Sequence, residues 1–166
     1  MEDTRLASEG DVPACRELLR VALEGAMVMR GGATLVGTAT VDQLLARWSL
    51  GAPASPDATT AVYVGQFHQV VVGLAAVVSE HRPGAETPAG AGRAPLAGRI
   101  ECLYVEPEAR GVGVGSALMA AAVAWCRQQS CVEIDALALP GDRSSKQRYE
   151  GAGFTARLLT LSRKLD

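Results

Sequence analysis

The segment "LYVEPEARGVGVGSALMAAA", residues 103–122, decides the fold of this chain. It begins as a strand and runs into a predicted helix over residues 113–129, with Gly111, Gly113 and Gly115 at the junction. Glycine costs backbone entropy and adds nothing to a core, so a tight turn alone does not account for three of them. The first turn of a helix carries N–H groups without partners, which bind anions together with the helix dipole. The segment therefore predicts a phosphate-binding loop.

The residues around the loop narrow the kind of phosphate ligand. A Walker A loop needs a lysine directly after its last glycine, and none follows here. The Rossmann fingerprint is matched more closely, by Gly111, Gly113 and Ser116. Glu133 or Asp135 would then be its acidic residue, about 20 positions further on. That fingerprint normally opens its fold, whereas several predicted elements precede it here, so a Rossmann-like nucleotide binder is kept as an alternative only.

The composition is that of one globular domain over residues 1–166, with 48% hydrophobic and 20% charged residues. The formal net charge of -2 lacks the basic surplus that nucleic-acid binding requires. The charged N-terminus and the lack of an apolar run of roughly 20 residues predict a cytoplasmic protein without a membrane span. No cysteines form a C-x-x-C pair, so we expect reduced thiols and no metal site. The cysteines are Cys15, Cys102, Cys126 and Cys131.

The remaining pattern predicts the element order β-α-α-β-β-β-α-β-α-β. A strand is predicted over residues 99–105, and residues 154–166 are expected to close the chain as a strand. A hairpin turn is predicted near residues 65–69, with a bulge at Gly73. Residues 81–98 are rich in Pro, Gly and Ala, and we expect a mobile loop within the single domain.

A family resemblance rests first on the glycine loop. Arg110-x-x-Gly113-x-Gly115 resembles the acyl-CoA pyrophosphate signature R/Q-x-x-G-x-G/A of the GNAT superfamily of N-acetyltransferases, and Val105 and Pro107 also match its strand-loop-helix core. The resemblance implies an α/β fold with a single mixed, mostly antiparallel central sheet whose parallel strands splay apart, flanked by helices.

A later helix carries the second match. The stretch "DRSSKQRYEGAGF" resembles the family pattern N-x-x-A-x-x-x-Y-x-x-x-G-F/Y, with Tyr149, Gly153 and Phe154 in place. Asp142 and Ser145 depart from the pattern, since the family often has Asn and Ala there.

The resemblance implies acetyl-CoA as co-substrate, with the acetyl group passing to a primary amine by direct attack in a ternary complex. The implied acceptor is a small amine or a peptide N-terminal amine, and a homodimer through the last strands is one arrangement of the family. The implied cofactor-binding residues are Leu103, Tyr104, Val105, Arg110, Gly111, Val112, Gly113, Val114, Gly115 and Ser116.

Three groups are the catalytic candidates. By resemblance, the amide of Leu103 is the oxyanion donor and Tyr149 is the general acid for the departing thiolate. Strand alternation predicts Glu101, Leu103 and Val105 on one face, opposite a second set. Glu101 is then the candidate general base, with a solvent-facing carboxylate or a bond to Arg99 as the alternative. The second set is Ile100, Cys102 and Tyr104, which places Cys102 away from Glu101 and disfavours a covalent acyl-cysteine route.

The acceptor site is implied near the first two helices. Met27, Met29, Trp48 and Leu50 are candidates for an apolar wall, and ordinary core packing accounts for them as well. Glu24 and Asp42 could attract a cationic amine, or be solvated. His68 and His81 have no clustered partner and are expected to be structural or exposed. A non-catalytic CoA-binding module is the alternative from another functional class.

Overall fold

The structure, a computed structural model, describes residues 2–50, 59–81, 95–158 and 160–161. The strands of these residues are β1 (Glu2–Leu6), β2 (Thr60–Phe67), β3 (Val70–His81), β4 (Leu96–Val105) and β5 (Glu133–Ala136). The helices are α1 (Val12–Met27), α2 (Gly32–Val36), α3 (Val41–Arg47), α4 (Val114–Gln128) and α5 (Arg143–Gly151). Short 3₁₀ turns lie at Glu9–Asp11 and Pro107–Ala109.

The strands form one sheet in the order β1-β2-β3-β4-β5. The first three pairs are antiparallel and β4 pairs with β5 in parallel, which confirms the mixed, mostly antiparallel sheet. Helix α1 and the residues of α3 pack on one face, and α4 packs on the other. The predicted Rossmann alternative is wrong, because that fold needs a mostly parallel sheet.

Strand β4 carries a bulge at Glu101. Ala76 of β3 pairs with Cys102 and Val77 pairs with Ile100, so Glu101 is the extra residue. The bulge turns Glu101 and Cys102 to the same face of the sheet. The predicted alternation is therefore wrong N-terminal to the bulge: Ile100 packs with α4 alongside Leu103, whereas Cys102 packs with α1.

Several predicted boundaries shift. The β2–β3 hairpin turns at His68 and Gln69, and its bulge leaves Val72 as the extra residue, next to Gly73. Of the predicted mobile loop, residues 82–94 lie outside the described part, while His81 and residues 96–98 belong to strands. The predicted closing strand is wrong for the residues described, since 154–158 and 160–161 form no strand.

The N-terminal end of the fold is fixed by an ion pair. Both oxygens of the Asp11 carboxylate accept from the Arg5 guanidinium, at 2.7 and 2.8 Å, and Ser8 donates through both its amide and its hydroxyl. This bidentate pair joins β1 to the start of α1. The Asp11 carboxylate lies buried, and the hydrogen bonds from Arg5 hold its pKa well below its usual range.

Candidate active site

The glycine loop lies where β4 meets the start of α4. Gly111 and Gly113 have φ angles of +84° and +98°, a region that favours glycine. Gly113 is the N-cap residue, its carbonyl accepts from the amides of Ser116 and Ala117, and no side chain caps the helix. Among the described residues, the amides of Val114 and Gly115 therefore have no acceptor. This loop has the donors that the predicted anion site requires.

Arg110 precedes the glycines and folds back onto β4. Its Nε donates to the carbonyl oxygen of Val105 at 3.0 Å, and the side chain is otherwise exposed. This bond leaves the two terminal nitrogens of the guanidinium available at the loop.

A gap opens between β4 and β5 beyond Ile100. The last parallel pair joins Ile100 to Ala136, and β4 continues to Val105 without β5 beside it. The amide of Glu106 donates to Val72 on β3 at 2.9 Å, so the period of two turns the backbone groups of Leu103 and Val105 away from β3, toward the gap. The backbone groups of Leu103 and Val105 therefore line the gap. Tyr104 is different, because its backbone faces β3 and its side chain packs on the α1 face.

Glu101 lies on the α1 and α3 face of the sheet, not on the face of Leu103. Its Oε1 accepts from Arg47 at 2.6 Å and from Arg99 at 2.9 Å, and its Oε2 accepts from the indole of Trp48 at 2.7 Å. The side chain is only 10% exposed. The alternative of a bond to Arg99 is confirmed, and three donors hold this nearly buried carboxylate beside the bulge.

Tyr149 lies on α5, which Asp142 caps by accepting from the Ser145 amide at 3.0 Å. The departure from Asn to Asp therefore preserves a helix cap. The Tyr149 ring is half-buried against the α4 side of the core, 5.4 Å from the ring of Phe154. Burial raises the pKa of Tyr149 to about 12, so the hydroxyl keeps its proton at neutral pH.

Arg148 was not identified from the sequence. A Cβ built on Gly115 would lie 3.2 Å from Nε and 3.3 Å from Cζ of Arg148, so the guanidinium rests against the first turn of α4. The only sequence signal was its position directly before Tyr149, and periodicity gives no reason to bring it to the glycine loop. The absence of a Cβ at Gly115 allows this close approach.

Of the four apolar residues predicted for the acceptor site, two belong to the core and two are exposed. Trp48 is buried in the core and Leu50 packs against it. Met27 and Met29 are 47% and 42% exposed at the end of α1. The following Gly31 lies near the loop after β5, since a Cβ built there would be 3.7 Å from Pro140. The α1–α2 connection thus borders the segment that joins β5 to α5.

The two predicted acidic residues already have partners. Glu24 pairs with Arg20 at 2.6 Å, and Asp42 pairs with Arg16. Both ion pairs are exposed and contribute little to stability. Neither carboxylate is available as an unpaired attractor of an amine.

A surface cavity of about 280 Å³ lies between α1 and the end of β4. Tyr104 contributes its side chain to the wall, so this residue faces the cavity rather than the gap. The lining residues are Glu17, Leu18, Val21, Tyr104, Glu106, Pro107 and Glu108.

The other residues considered as catalytic candidates, His68 and Cys102, lie in surroundings that do not favour catalysis. His68 is in the hairpin turn, with its ring 4.3 Å from that of Phe67. Burial raises the pKa of the Cys102 thiol to about 12, which leaves little thiolate for nucleophilic attack. Within the described ranges, no three His, Cys, Asp or Glu side chains are placed to hold a metal ion. No helix in the same ranges is long and apolar enough to cross a membrane.

The end of the parallel pairing at Ile100 and the glycine loop at the start of α4 define a class of α/β proteins with a mixed sheet that opens beside the loop. A family model gives the class its name: residues 37–154 match the Acetyltransferase (GNAT) family. The chain belongs to this family. No curated protein sequence matches it.

Solved structures agree with this fold over the whole chain. A transcriptional regulator from Bacillus halodurans is 20% identical with a TM-score of 0.72, covering 99% of this chain and 100% of its own. A predicted acetyltransferase with acetyl-CoA from Clostridium acetobutylicum is 17% identical with a TM-score of 0.69, covering 99% and 96%. AAC(6')-Iy in complex with the bisubstrate analogue CoA-S-monomethyl-acetylneamine is 18% identical with a TM-score of 0.68, covering 99% of both chains.

Proposed function

We propose that this protein transfers an acetyl group from acetyl-CoA to a primary amine, by direct attack of the amine on the thioester in a ternary complex. The observation that carries the proposal is the continuity of two features: β4 loses β5 after Ile100, and the same strand leads into the glycine loop. One ligand can then pair with an open strand edge and place a phosphate at a helix N-terminus. Membership in the GNAT family and the CoA-bound neighbours support CoA as that ligand.

The binding roles follow from the positions of the backbone groups. Leu103 and Val105 would pair with the pantetheine, and the amides from Arg110 to Ser116 would hold the pyrophosphate, with the Arg110 guanidinium beside them. Tyr104 contributes no backbone group to the gap, so its role is confined to its side chain on the other face.

The chemistry needs three functions from this chain. The attacking amine must lose a proton, and Glu101 is the proposed base, directly or through a water, because one lone pair of Oε2 remains after its three hydrogen bonds. The developing oxyanion needs a donor, and the Leu103 amide is the proposed one. The departing thiolate needs a proton, and the Tyr149 hydroxyl, protonated at neutral pH, is proposed to supply it.

The acceptor is proposed to be a small amine or a peptide N-terminal amine that enters beside the α1–α2 connection. The exposed Met27 and Met29 and the contact of Gly31 with the loop after β5 place adaptable apolar surface there.

Calorimetric titration of the purified protein with acetyl-CoA, with NAD as the control ligand, tests the proposal first. Micromolar binding of acetyl-CoA without binding of NAD is expected. A panel of amines is then screened for release of free CoA thiol. Binding without turnover for any amine would favour a CoA-binding module, and no binding of acetyl-CoA would overturn the proposed function.

A further inference from the structure

We propose that Arg148 binds the pyrophosphate of CoA from the α5 side and thereby positions Tyr149. This inference rests on the proposed function. The guanidinium lies against Gly115 in the first turn of α4, where a Cβ would be 3.2 Å from its Nε. It therefore approaches the same turn whose amides have no acceptor among the described residues.

The position of the Arg148 guanidinium beside the N-terminus of α4 favours binding of an anion. Three arginines in the described part of the chain are half-buried. Arg5 pairs with Asp11, and Arg99 pairs with Glu80 and Glu101. Arg148 makes no hydrogen bond or ion pair with any described residue, and the Asp142 carboxylate interacts with it only from beyond ion-pair distance. A helix N-terminus is itself the positive end of the dipole, so a guanidinium there is repelled unless an anion lies between them. A bound phosphate would satisfy both the cation and the amides.

The attachment of α5 explains why this contact would affect catalysis. No residue of α5 is buried, and the helix meets the core mainly through the half-buried Tyr149 ring. Arg148 directly precedes Tyr149 on this helix. A phosphate held between Arg148 and the first turn of α4 would join α5 to α4 and fix the position of the Tyr149 hydroxyl. Arg148 is thus a positioning residue for the acid as well as a binding residue.

The first experiment compares Arg148→Gln with Arg127→Gln by calorimetry. Arg127 is exposed in the last turn of α4, about 18 Å along the helix from Gly115, so its variant has the same charge change without access to the loop. We expect the Kd for CoA to rise tenfold or more in Arg148→Gln, and to change less than twofold in Arg127→Gln. Arg148→Lys is expected to keep part of the affinity. Equal Kd values for Arg148→Gln and the wild type would overturn the inference.

Two further probes identify the phosphate. Dephospho-CoA lacks the 3′-phosphate, so the ratio of Kd values between Arg148→Gln and the wild type should be the same for it as for CoA. A ratio near one with dephospho-CoA would assign Arg148 to the 3′-phosphate and overturn the pyrophosphate assignment. Inorganic pyrophosphate is the second probe, and its binding to the wild type but not to Arg148→Gln would support the site even if no acetyl transfer were found.

Hydrogen exchange tests the positioning role. CoA is expected to slow amide exchange in residues 143–151 of the wild type, and not in Arg148→Gln at saturating CoA. Equal protection of α5 in both proteins would show that Arg148 does not couple ligand binding to the helix. Circular dichroism and Tm of both variants establish that the fold is intact.

Discussion

The indole of Trp48 donates to Oε2 of Glu101 at 2.7 Å, and this bond ties the end of α3 to the bulge of β4. Arg47, the preceding residue, adds a second connection, because its guanidinium donates to Oε1 of Glu101 at 2.6 Å. Without the bulge, Glu101 would point toward α4, away from the helices that border the proposed acceptor site. The bulge therefore determines that the Glu101 carboxylate lies on the α1 and α3 face of the sheet.

Glu101→Gln tests whether this carboxylate is the general base. We expect kcat/KM to fall about 100-fold and its rise with pH to flatten, because the amide cannot accept the proton of the amine. Glu80→Gln is the matched control, since Glu80 also pairs with Arg99, at 2.9 Å, but is exposed. Steady-state kinetics with one amine over a range of pH measure both variants. A Glu101→Gln protein with lower Tm and the wild-type pH profile would assign Glu101 a structural role only.

Tyr149→Phe tests the general acid. The kcat is expected to fall about 100-fold while the Kd for acetyl-CoA stays unchanged, because only the hydroxyl is removed and the ring contact with Phe154 remains. Since the pKa of Tyr149 is raised to about 12, ionisation of this group should not lower the wild-type kcat below pH 10. Tyr63→Phe, another half-buried tyrosine that packs on the α4 side, is the control. An unchanged kcat in Tyr149→Phe contradicts the assignment.

The sequence predicted the glycine loop and α4 well because both depend on local chemistry. The helix was predicted over residues 113–129 and is observed at Val114–Gln128, with Gly113 in the cap position. Helix α3 likewise begins at a local signal, since Thr40 is its N-cap and the Thr40 hydroxyl accepts from the Gln43 amide at 3.3 Å. At both helix starts the local sequence has a residue suited to the cap position, glycine at 113 and threonine at 40.

The prediction failed where the backbone conformation is imposed by distant contacts. The β2–β3 turn lies within the predicted range of residues 65–69, but its exact position was not predicted, because glycine or asparagine is usual where His68 and Gln69 have positive φ, +48° and +67°. The bulge at Glu101 depends on pairing with β3, which no local pattern reveals, and it places Ile100 and Glu101 on the faces opposite to those predicted. Arg148 was missed for the same reason, because its approach to Gly115 depends on how α5 packs.

Gly113→Glu tests the anion site. The substitution adds a negative charge at the helix N-terminus, so we expect the Kd for acetyl-CoA to rise more than tenfold. Gly141→Glu is the control, because Gly141 has nearly the same φ, +96° against +98°, and a Cβ there meets nothing within 4 Å. Both variants carry the same backbone strain and charge, and calorimetry compares them. Equal loss of affinity in the two would mean that the loop does not hold a phosphate.

Asp11→Asn tests the ion pair between β1 and α1. We expect the free energy of unfolding at pH 7 to fall by about 2 kcal/mol, because a buried carboxylate loses its charge-assisted bonds to Arg5. The pKa of Asp11 is lowered in the folded state, so its contribution is complete above the unfolded pKa of about 4 and is lost as pH falls below that value. The variant and wild type should therefore converge in acid.

Urea unfolding between pH 2.5 and pH 7 measures that difference. Asp42→Asn is the comparison, since its pair with Arg16 is exposed, and it should cost less than about 1 kcal/mol at any pH. A difference between Asp11→Asn and the wild type that does not change with pH would mean that packing, not charge, accounts for the loss.

Ser49 and Ser130 occupy equivalent positions after two helices, and replacing them with glycine should stabilise the fold. Their φ angles are +51° and +58°, and each lies in a Schellman turn. After α4, the Cys131 amide donates to the Cys126 carbonyl at 2.9 Å and the Ser130 amide to the Arg127 carbonyl at 3.0 Å. After α3, the equivalent bonds run from Leu50 to Leu45 at 3.2 Å and from Ser49 to Ala46 at 3.1 Å. A residue with a Cβ is strained in this conformation, whereas glycine adopts it freely.

Each substitution is expected to raise the free energy of unfolding by about 0.5 kcal/mol, since relief of strain exceeds the added entropy of the unfolded chain. The two sites lie at the ends of different helices, so the double variant should show the sum of the two effects. Ser144→Gly is the control, because Ser144 is in the first turn of α5, where glycine has a lower helix propensity and removes the hydrogen bond to Asp142 at 2.8 Å, so stability should fall. Urea unfolding of the wild type and the four variants measures this, and a loss of stability in Ser130→Gly would show that the serine is not strained at this helix end.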